Sequence, residues 1–268
     1  MRRKDNMKIY FSASDAPEAQ KALGSFTKYY RQASLEEADV IVSLGGDGQA
    51  TQDLLTAIKT KKPIFGINYG HVGHFMNARK GIKGLRERIR SAEAIELSPL
   101  RVEATFIGGD IKTDFAVNEV QVCNDNRGQG INLCVYIDGI KRIPNLGADG
   151  VMVATTIGST GYNKSAHGSA LPLGDDLLAF TPNNAYRPEC IHPTVIRPKP
   201  IRVEVLDAPY RKADVYADSR LLGKGASDVR ISLDTNKKYK LLFDPGFSLH
   251  EKVMRTQFPF VYQFGLSV

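Results

Sequence analysis

Asp39-Val-Ile-Val-Ser-Leu-Gly-Gly-Asp-Gly48 decides the fold of this chain. Its first half is a short apolar run of strand type. It passes straight into Gly45, Gly46 and Gly48, set around one carboxylate, Asp47. Three glycines allow positive-φ backbone and the close approach of a ligand. Thr51-Gln-Asp-Leu-Leu-Thr-Ala-Ile58 then reads as a helix, so the turn lies between a strand end and a helix start. Open α/β sheets bind ligands at that point, where backbone N–H groups favour anions. Two readings stay open for Asp47: N-cap of the helix, or working group of an active site.

The flanks extend the pattern. Met7-Lys-Ile-Tyr-Phe-Ser12 reads as a strand, and Asp15-Ala-Pro-Glu18 combines a carboxylate cap, a first-turn proline and a glutamate, the start of a helix running to about Tyr30. Lys62-Pro-Ile-Phe-Gly-Ile67 is another apolar strand, and Ile82, Leu85 and Ile89 have the spacing of an amphipathic helix. Alternating strand and helix predicts a doubly wound, Rossmann-like parallel sheet over residues 1–97. After Ser98-Pro99 the period becomes two, over 101–107, 115–122, 132–137, 201–205, 229–233 and 239–243, with Gly108-Gly-Asp110 and Asp138-Gly139 as turn signals. Residues 98–245 are therefore expected to form a second, nearly all-β domain. Helical spacing returns over Phe247–Phe258, so 246–268 is expected to return to the first domain and complete it.

Of the 268 residues 42% are hydrophobic and 24% charged, the balance of an ordinary soluble globular protein. No apolar run approaches the roughly 20 residues that span a bilayer. The basic start Met1-Arg-Arg-Lys4 lacks the apolar region of a secretory signal. Cys123, Cys134 and Cys190 are odd in number without CxxC spacing, and no histidine stands near them at zinc-ligand spacing, so a reducing cytoplasmic setting and no protein metal site are expected. A net charge of +7 suits an anionic partner such as a phosphate compound. Its scattered lysines and arginines, without interleaved aromatics, argue against nucleic acid.

A second stretch, Ala148-Asp-Gly-Val-Met-Val-Ala-Thr-Thr-Ile-Gly-Ser-Thr-Gly-Tyr-Asn-Lys-Ser165, invites a P-loop reading from Gly158. Asn163 stands where the second glycine is needed, and Ala166-His-Gly-Ser-Ala-Leu-Pro-Leu-Gly174 is a poor helix former, so that reading fails. Taken together, Gly45-Gly-Asp-Gly48, Asn118-Glu119, Asp149-Gly150 and Gly158-Ser-Thr-Gly-Tyr-Asn-Lys-Ser165 resemble the bacterial NAD kinases in order and spacing. Ser165-Ala-His-Gly168, Leu171-Pro-Leu173, Phe180-Thr-Pro182, Arg187-Pro188 and Phe243-Asp-Pro245 resemble the alphaproteobacterial branch. The resemblance covers about Asp39 to Phe258. Lipid kinases and phosphofructokinases carry similar glycine turns but lack the rest of the set.

The implications of the resemblance make chemical sense. The reaction moves the γ-phosphoryl of ATP to the 2′-hydroxyl of the adenosine ribose of NAD. An alcohol is a poor nucleophile, so a positioned carboxylate that takes its proton helps, and the resemblance gives that role to Asp47. Gly45, Gly46 and Gly48 would leave room for phosphates, with Mg²⁺ accompanying ATP. Asn118 offers donor and acceptor to an adenine edge, and Glu119 accepts from ribose hydroxyls. Asp149 falls where the family contacts the nicotinamide end, and Phe75 where it sets an aromatic near adenine. Gly158, Ser159, Thr160, Gly161, Tyr162, Asn163, Lys164 and Ser165 are expected to bind NAD, with Tyr162 as a stacking face. Asn184 joins them from Asn183-Asn-Ala-Tyr-Arg187, where a subunit contact is also expected in a homodimer or homotetramer. The ligand is expected between the two domains. Taken singly, each of these residues is a solvated side chain, a core tyrosine or an ordinary turn.

The chain departs from the family at Gln49-Ala50, at Gly73-His74, at Thr155-Thr-Ile157 where a proline is usual, at Gly161 in place of alanine, and at Gly168-Ser169. None removes a group assigned to chemistry, so activity is expected with an altered pocket. The alternatives are a kinase of the same fold acting on a lipid or other small alcohol, and a silent dinucleotide sensor.

Overall fold

A computed structural model describes residues 7–124, 129–173, 176–189 and 191–246. It divides into two units, the first holding described residues 7–97 and 237–246, the second the described residues between them.

In the first unit β1 (Ile9–Ala13), α1 (Pro17–Tyr30), β2 (Val40–Gly45), α2 (Asp47–Thr60), β3 (Ile64–Asn68), α3 (Leu85–Ser91) and β4 (Glu93–Leu97) follow one another, joined by β16 (Tyr239–Phe243). The sheet order is β1-β2-β3-β16-β4. β1, β2, β3 and β16 run parallel and β4 closes one edge antiparallel. β2 is buried along its whole length, as a central parallel strand covered on both faces must be. Val40, Val42 and Leu44 pack with Phe26 and Tyr30 of α1 and Leu85 and Ile89 of α3. Ser43, one residue out of phase, faces Asp53 of α2. Helices thus cover both faces, and the doubly wound expectation holds.

Details differ. Ala16, not Asp15, is the N-cap of α1, with Pro17 inside its first turn. α2 starts at Asp47 itself, behind Gly46 as N-cap. Tyr239–Phe243, expected in the second domain, is a strand of the first sheet, parallel to β3. Its alternating burial resembles that of any half-buried strand, so local pattern cannot assign it to a sheet. What assigns it is a set of long-range bonds around Asn77. The buried Asn77 amide donates to the carbonyls of Gly66 on β3 and Leu242 on β16, each at 2.9 Å, and its Oδ1 accepts from the Asp244 N–H at 2.8 Å. Arg88 of α3 then grips the Asp244 carboxylate bidentately, at 3.0 and 2.7 Å.

The second unit contains β5 (Leu100–Phe106), β6 (Ile111–Ala116), β7 (Glu119–Asn124), β8 (Ile131–Ile137), β9 (Ile140–Ala148), β10 (Gly150–Ala154), α4 (Tyr162–Ser165), β11 (Leu178–Asn183), β12 (Thr194–Ile196), β13 (Ile201–Val205), β14 (Ala213–Ala217) and β15 (Arg220–Leu233). They form an 11-stranded sheet, β12-β11-β10-β7-β14-β15-β13-β8-β9, with β5 on β15 and β6 on β5. The pairings are antiparallel, with inward side chains such as Val102, Val122, Leu133, Val153, Val203 and Val229 in one core. The run 115–122, expected as one strand, is broken: β6 ends at Ala116 and β7 begins at Glu119. The helix expected over 247–258 lies outside the described residues. No helix among them is long and apolar enough to cross a membrane.

Asn77→Ala leaves the Leu242 carbonyl and the Asp244 N–H without their partners. At about 1–3 kcal/mol per buried unsatisfied group, urea unfolding should show a loss of about 2–6 kcal/mol. A change below about 0.5 kcal/mol would mean that Asn77 does not hold β16.

Candidate active site

The glycine turn is built by contact rather than by unusual dihedrals. None of Gly45, Gly46 or Gly48 has positive φ, contrary to expectation. Gly46 lies instead against Gly70, where a Cβ would sit 2.8 Å from the Gly46 Cα, and a Cβ on Gly45 would sit 2.8 Å from that of Gln49. The Gly45 carbonyl accepts the N–H groups of Tyr69 and Gly70, at 2.7 and 3.2 Å. Next to it, the Asp47 carboxylate accepts from the His74 N–H at 2.9 Å on Oδ2 and from the Phe75 N–H at 3.3 Å on Oδ1. A carboxylate so occupied is no helix cap: the N-cap position of α2 belongs to Gly46, and the Asp47 oxygens are taken by the His74 and Phe75 N–H groups. Of the two readings of Asp47, the cap is excluded. Phe75, expected beside adenine, is buried within this unit, and its N–H serves Asp47.

Behind the turn lies a polar cluster. Gln49 Nε2 donates to Ser12 Oγ of β1 at 2.9 Å and to Asp53 Oδ2 one turn along α2 at 3.2 Å. Burial raises the Asp53 pKa against the opposing hydrogen bonds of Ser43, Gln49 and Ser12. The departure at Gln49 therefore has a structural partner: it ties the first turn of α2 to β1.

In the second unit Asn118 occupies the break between β6 and β7, gripped from two sides. Its carbonyl accepts the Thr155 N–H at 2.8 Å, and Gly158 packs so closely that a Cβ there would overlap that carbonyl. On the other side Asp218, in the turn after β14, accepts the N–H groups of Val117, Asn118 and Glu119 at 3.0, 2.7 and 3.3 Å. Asp218 carries no signal in the sequence beyond that of a turn. The Glu119 side chain is 6% exposed, and its Oε2 is buried without a hydrogen-bond partner among the described residues. Burial first, then the Asp218 charge, push its pKa up to about 7.

The segment 158–165 folds as a single 3-10 turn, Gly158–Thr160, and the four-residue α4, without the long helix of a P-loop. Ser159 and Asn163, expected among the dinucleotide contacts, are used internally. Ser159 Oγ donates to the Thr156 carbonyl at 2.7 Å and accepts the Leu171 N–H at 2.8 Å. Buried Asn163 donates to the carbonyls of Ser159 and Ser169 and accepts from Thr181 Oγ1 at 2.7 Å. They shape the segment and leave the outward positions to others. Thr160 is half-buried, while Gly161, Tyr162, Lys164 and Ser165 are exposed.

A cavity of about 810 Å³ gathers Tyr162, Ser165, Asp149 and Asn184. Asn184, in the left-handed region at φ 48°, donates from Nδ2 to Asp149 Oδ2 at 2.8 Å, so these two expected residues form one unit. Gln121, Cys123, Asp214, Tyr216 and Lys224 also line the wall, none of them anticipated. They come from β7, β14 and the start of β15, adjacent strands whose alternate residues share one face. Burial and the Asp214 charge push the Cys123 thiol up to about 11, so it stays protonated at neutral pH. Among the described residues no group of three or more His, Cys, Asp or Glu side chains could hold a metal ion.

Glu119 makes the stability of the unliganded protein pH-dependent. Its folded pKa of about 7 stands above the ordinary 4.5, so the folded state holds a proton that the unfolded state releases between those values. Stability is then full below pH 4.5 and falls as pH rises to 7, by up to about 3 kcal/mol at 1.36 kcal/mol per unit. Urea unfolding at pH 5 and 7.5 should show that fall, and Glu119→Gln should make it smaller, leaving the part that Asp53 and Asp218, also raised by burial, contribute. An equal slope in both proteins would contradict this account.

Residues 2–84 match the ATP-NAD kinase N-terminal domain family. Over 255 residues the chain is 40% identical to an NAD kinase of Hyphomonas neptunium, covering 95% of this chain and 99% of that one. It is 39% identical to an NAD kinase of Zymomonas mobilis, covering 92% and 95%. Among solved structures, an NAD kinase from Archaeoglobus fulgidus in complex with ATP superposes with a TM-score of 0.72 at 24% identity, over 93% of this chain and 99% of that one. A yeast NADH kinase complexed with NADH gives 0.77 at 16% identity, over 98% and 89%. At these identities the two structures bear on the fold. The near-complete relatives at about 40% identity bear on the family, and by them the chain belongs to the NAD kinases.

Proposed function

We propose that this chain transfers the γ-phosphoryl of ATP to the 2′-hydroxyl of the adenosine ribose of NAD, giving NADP and ADP, with Asp47 as general base. The observation that carries the role of Asp47 is its pair of bonds from the His74 and Phe75 N–H groups. They hold the carboxylate at a strand-to-helix turn while each oxygen keeps a second acceptor position. As the 2′-oxygen attacks the γ-phosphorus, its proton passes to Asp47 and the bond from that phosphorus to the bridging oxygen of ADP breaks. ATP enters with a divalent cation, expected to be Mg²⁺, whose charge offsets that of the phosphates.

Asn118 and Glu119 are assigned to the adenosine half, with Thr160, Gly161, Tyr162 and Ser165 beside them; Asp149, steadied by Asn184, is assigned to the nicotinamide half. The shared cavity of Tyr162, Ser165, Asp149 and Asn184 supports a common ligand for these four residues, while Asn118, Glu119, Thr160 and Gly161 lie outside its lining and rest on the family resemblance. The free thiols of Cys123 and Cys134 fit a cytoplasmic protein. The family resemblance supports a homodimer or homotetramer, and a monomer in sedimentation would remove that part of the reading.

Purified protein with ATP, Mg²⁺ and NAD should form NADP, read by an NADP-specific dehydrogenase. Asp47→Asn should lower kcat by about 10²–10⁴ with little change in the KM for NAD. Unchanged turnover in this variant would exclude Asp47 as the base, and ATP turnover driven only by another alcohol would exclude NAD as the acceptor.

A further inference from the structure

We propose that Asp218 is a positioning residue of the dinucleotide site: its carboxylate fixes the backbone that presents Asn118 and Glu119, and its charge, facing Glu119, makes dinucleotide binding depend on pH. This rests on the proposed function, in which Asn118 and Glu119 meet the adenosine half of the ligand.

Asp218 is buried, and its two oxygens collect three consecutive N–H groups, those of Val117, Asn118 and Glu119. Its own N–H returns to the Glu119 carbonyl at 2.8 Å. This fourfold link spans the break between β6 and β7, where no regular ladder could hold the chain. Asp218 adopts φ 54°, a conformation that L-residues other than Asn and Asp rarely enter. Such local strain is kept where a neighbouring interaction requires it. Thr155 and Gly158 fix the carbonyl side of Asn118, so Asp218 supplies the other half of the clamp.

The charges around Glu119 are few. Asp218 raises its pKa, while Gln121 on its own strand lowers it by hydrogen bonding. Arg220 faces Asp218 but is engaged by Asp114 at 3.1 Å and by the Phe115 carbonyl at 2.6 Å. Nothing cationic among the described residues thus offsets the Asp218 charge at Glu119 itself. Ionised, Glu119 is an acceptor only, and its Oε2, buried and without a hydrogen-bond partner among the described residues, is the acceptor assigned to a ribose hydroxyl. Protonated, it spends that position on its own hydrogen. NAD affinity therefore rises as pH rises through about 7.

The test is calorimetric titration of NAD into the full chain between pH 5.5 and 8.5, for the wild type, Asp218→Asn and Glu119→Gln. Wild-type affinity should improve by about tenfold from pH 6 to pH 8, following the ionised fraction of a group that titrates near 7. Asp218→Asn should shift the midpoint to lower pH and weaken binding several-fold at pH 8, since an amide cannot accept all three N–H groups. Glu119→Gln should remove the pH dependence. An Asp218→Asn protein with the wild-type midpoint and wild-type affinity would overturn the proposal. Should that variant not fold, Glu119→Gln decides, and a retained wild-type pH profile there would overturn it equally. A wild type that binds no NAD at any pH would instead refute the functional reading on which this rests.

Discussion

The grip of two backbone N–H groups on one carboxylate is the constraint on which the first unit depends. Asp47 can accept from His74 and Phe75 only if the chain from 69 to 77 returns to the end of β2. That return needs Gly70 against Gly46, where no side chain fits, and the bonds from Tyr69 and Gly70 to the Gly45 carbonyl. It also needs Asn77 to anchor the far end of the segment between β3 and β16. Gln49 secures the helix side through Ser12 and Asp53. A surface aspartate would be free to turn; the carboxylate of this one is held by two N–H groups of the loop.

The second unit solves a related problem in β structure. A chain that leaves the sheet ladder between two strands must still pair its backbone polar groups. The break between β6 and β7 achieves this, because Asp218 and Thr155 replace the missing ladder partners. The cost appears as burial of carboxylates: Asp218 and Glu119 both have raised pKa values, with desolvation as the largest cause. Ser159 and Asn163 apply the same logic to the segment before β11, bonding inward so that Tyr162 and Ser165 can face the cavity.

Much of this is legible in the sequence. The β2 turn, the alternating elements before residue 97 and the change of period after Pro99 follow from local pattern, which is how strands and helices declare themselves. The β16 strand escapes assignment because its partners are β3 and β4, far away in the chain, and a five-residue alternating strand says nothing about which sheet it joins. The glycines of the turn suggest positive φ, but they serve close approach, which depends on a loop more than twenty residues away. Ser159 and Asn163 look like ligand contacts because polar residues in a glycine-rich stretch usually face out, whereas here Thr181 and the carbonyls take them inward. Asp218 is invisible for the opposite reason: an aspartate before a serine reads as an ordinary turn, and its three bonds join residues about a hundred positions apart.

Asp47 is held by the His74 and Phe75 N–H groups. Amide hydrogen exchange at these two positions tests it most directly, in the wild type against Asp47→Ala. Both amides should exchange slowly in the wild type and markedly faster when the carboxylate is removed. Fast exchange at His74 and Phe75 in the wild type, or rates that Asp47→Ala leaves unchanged, would contradict it.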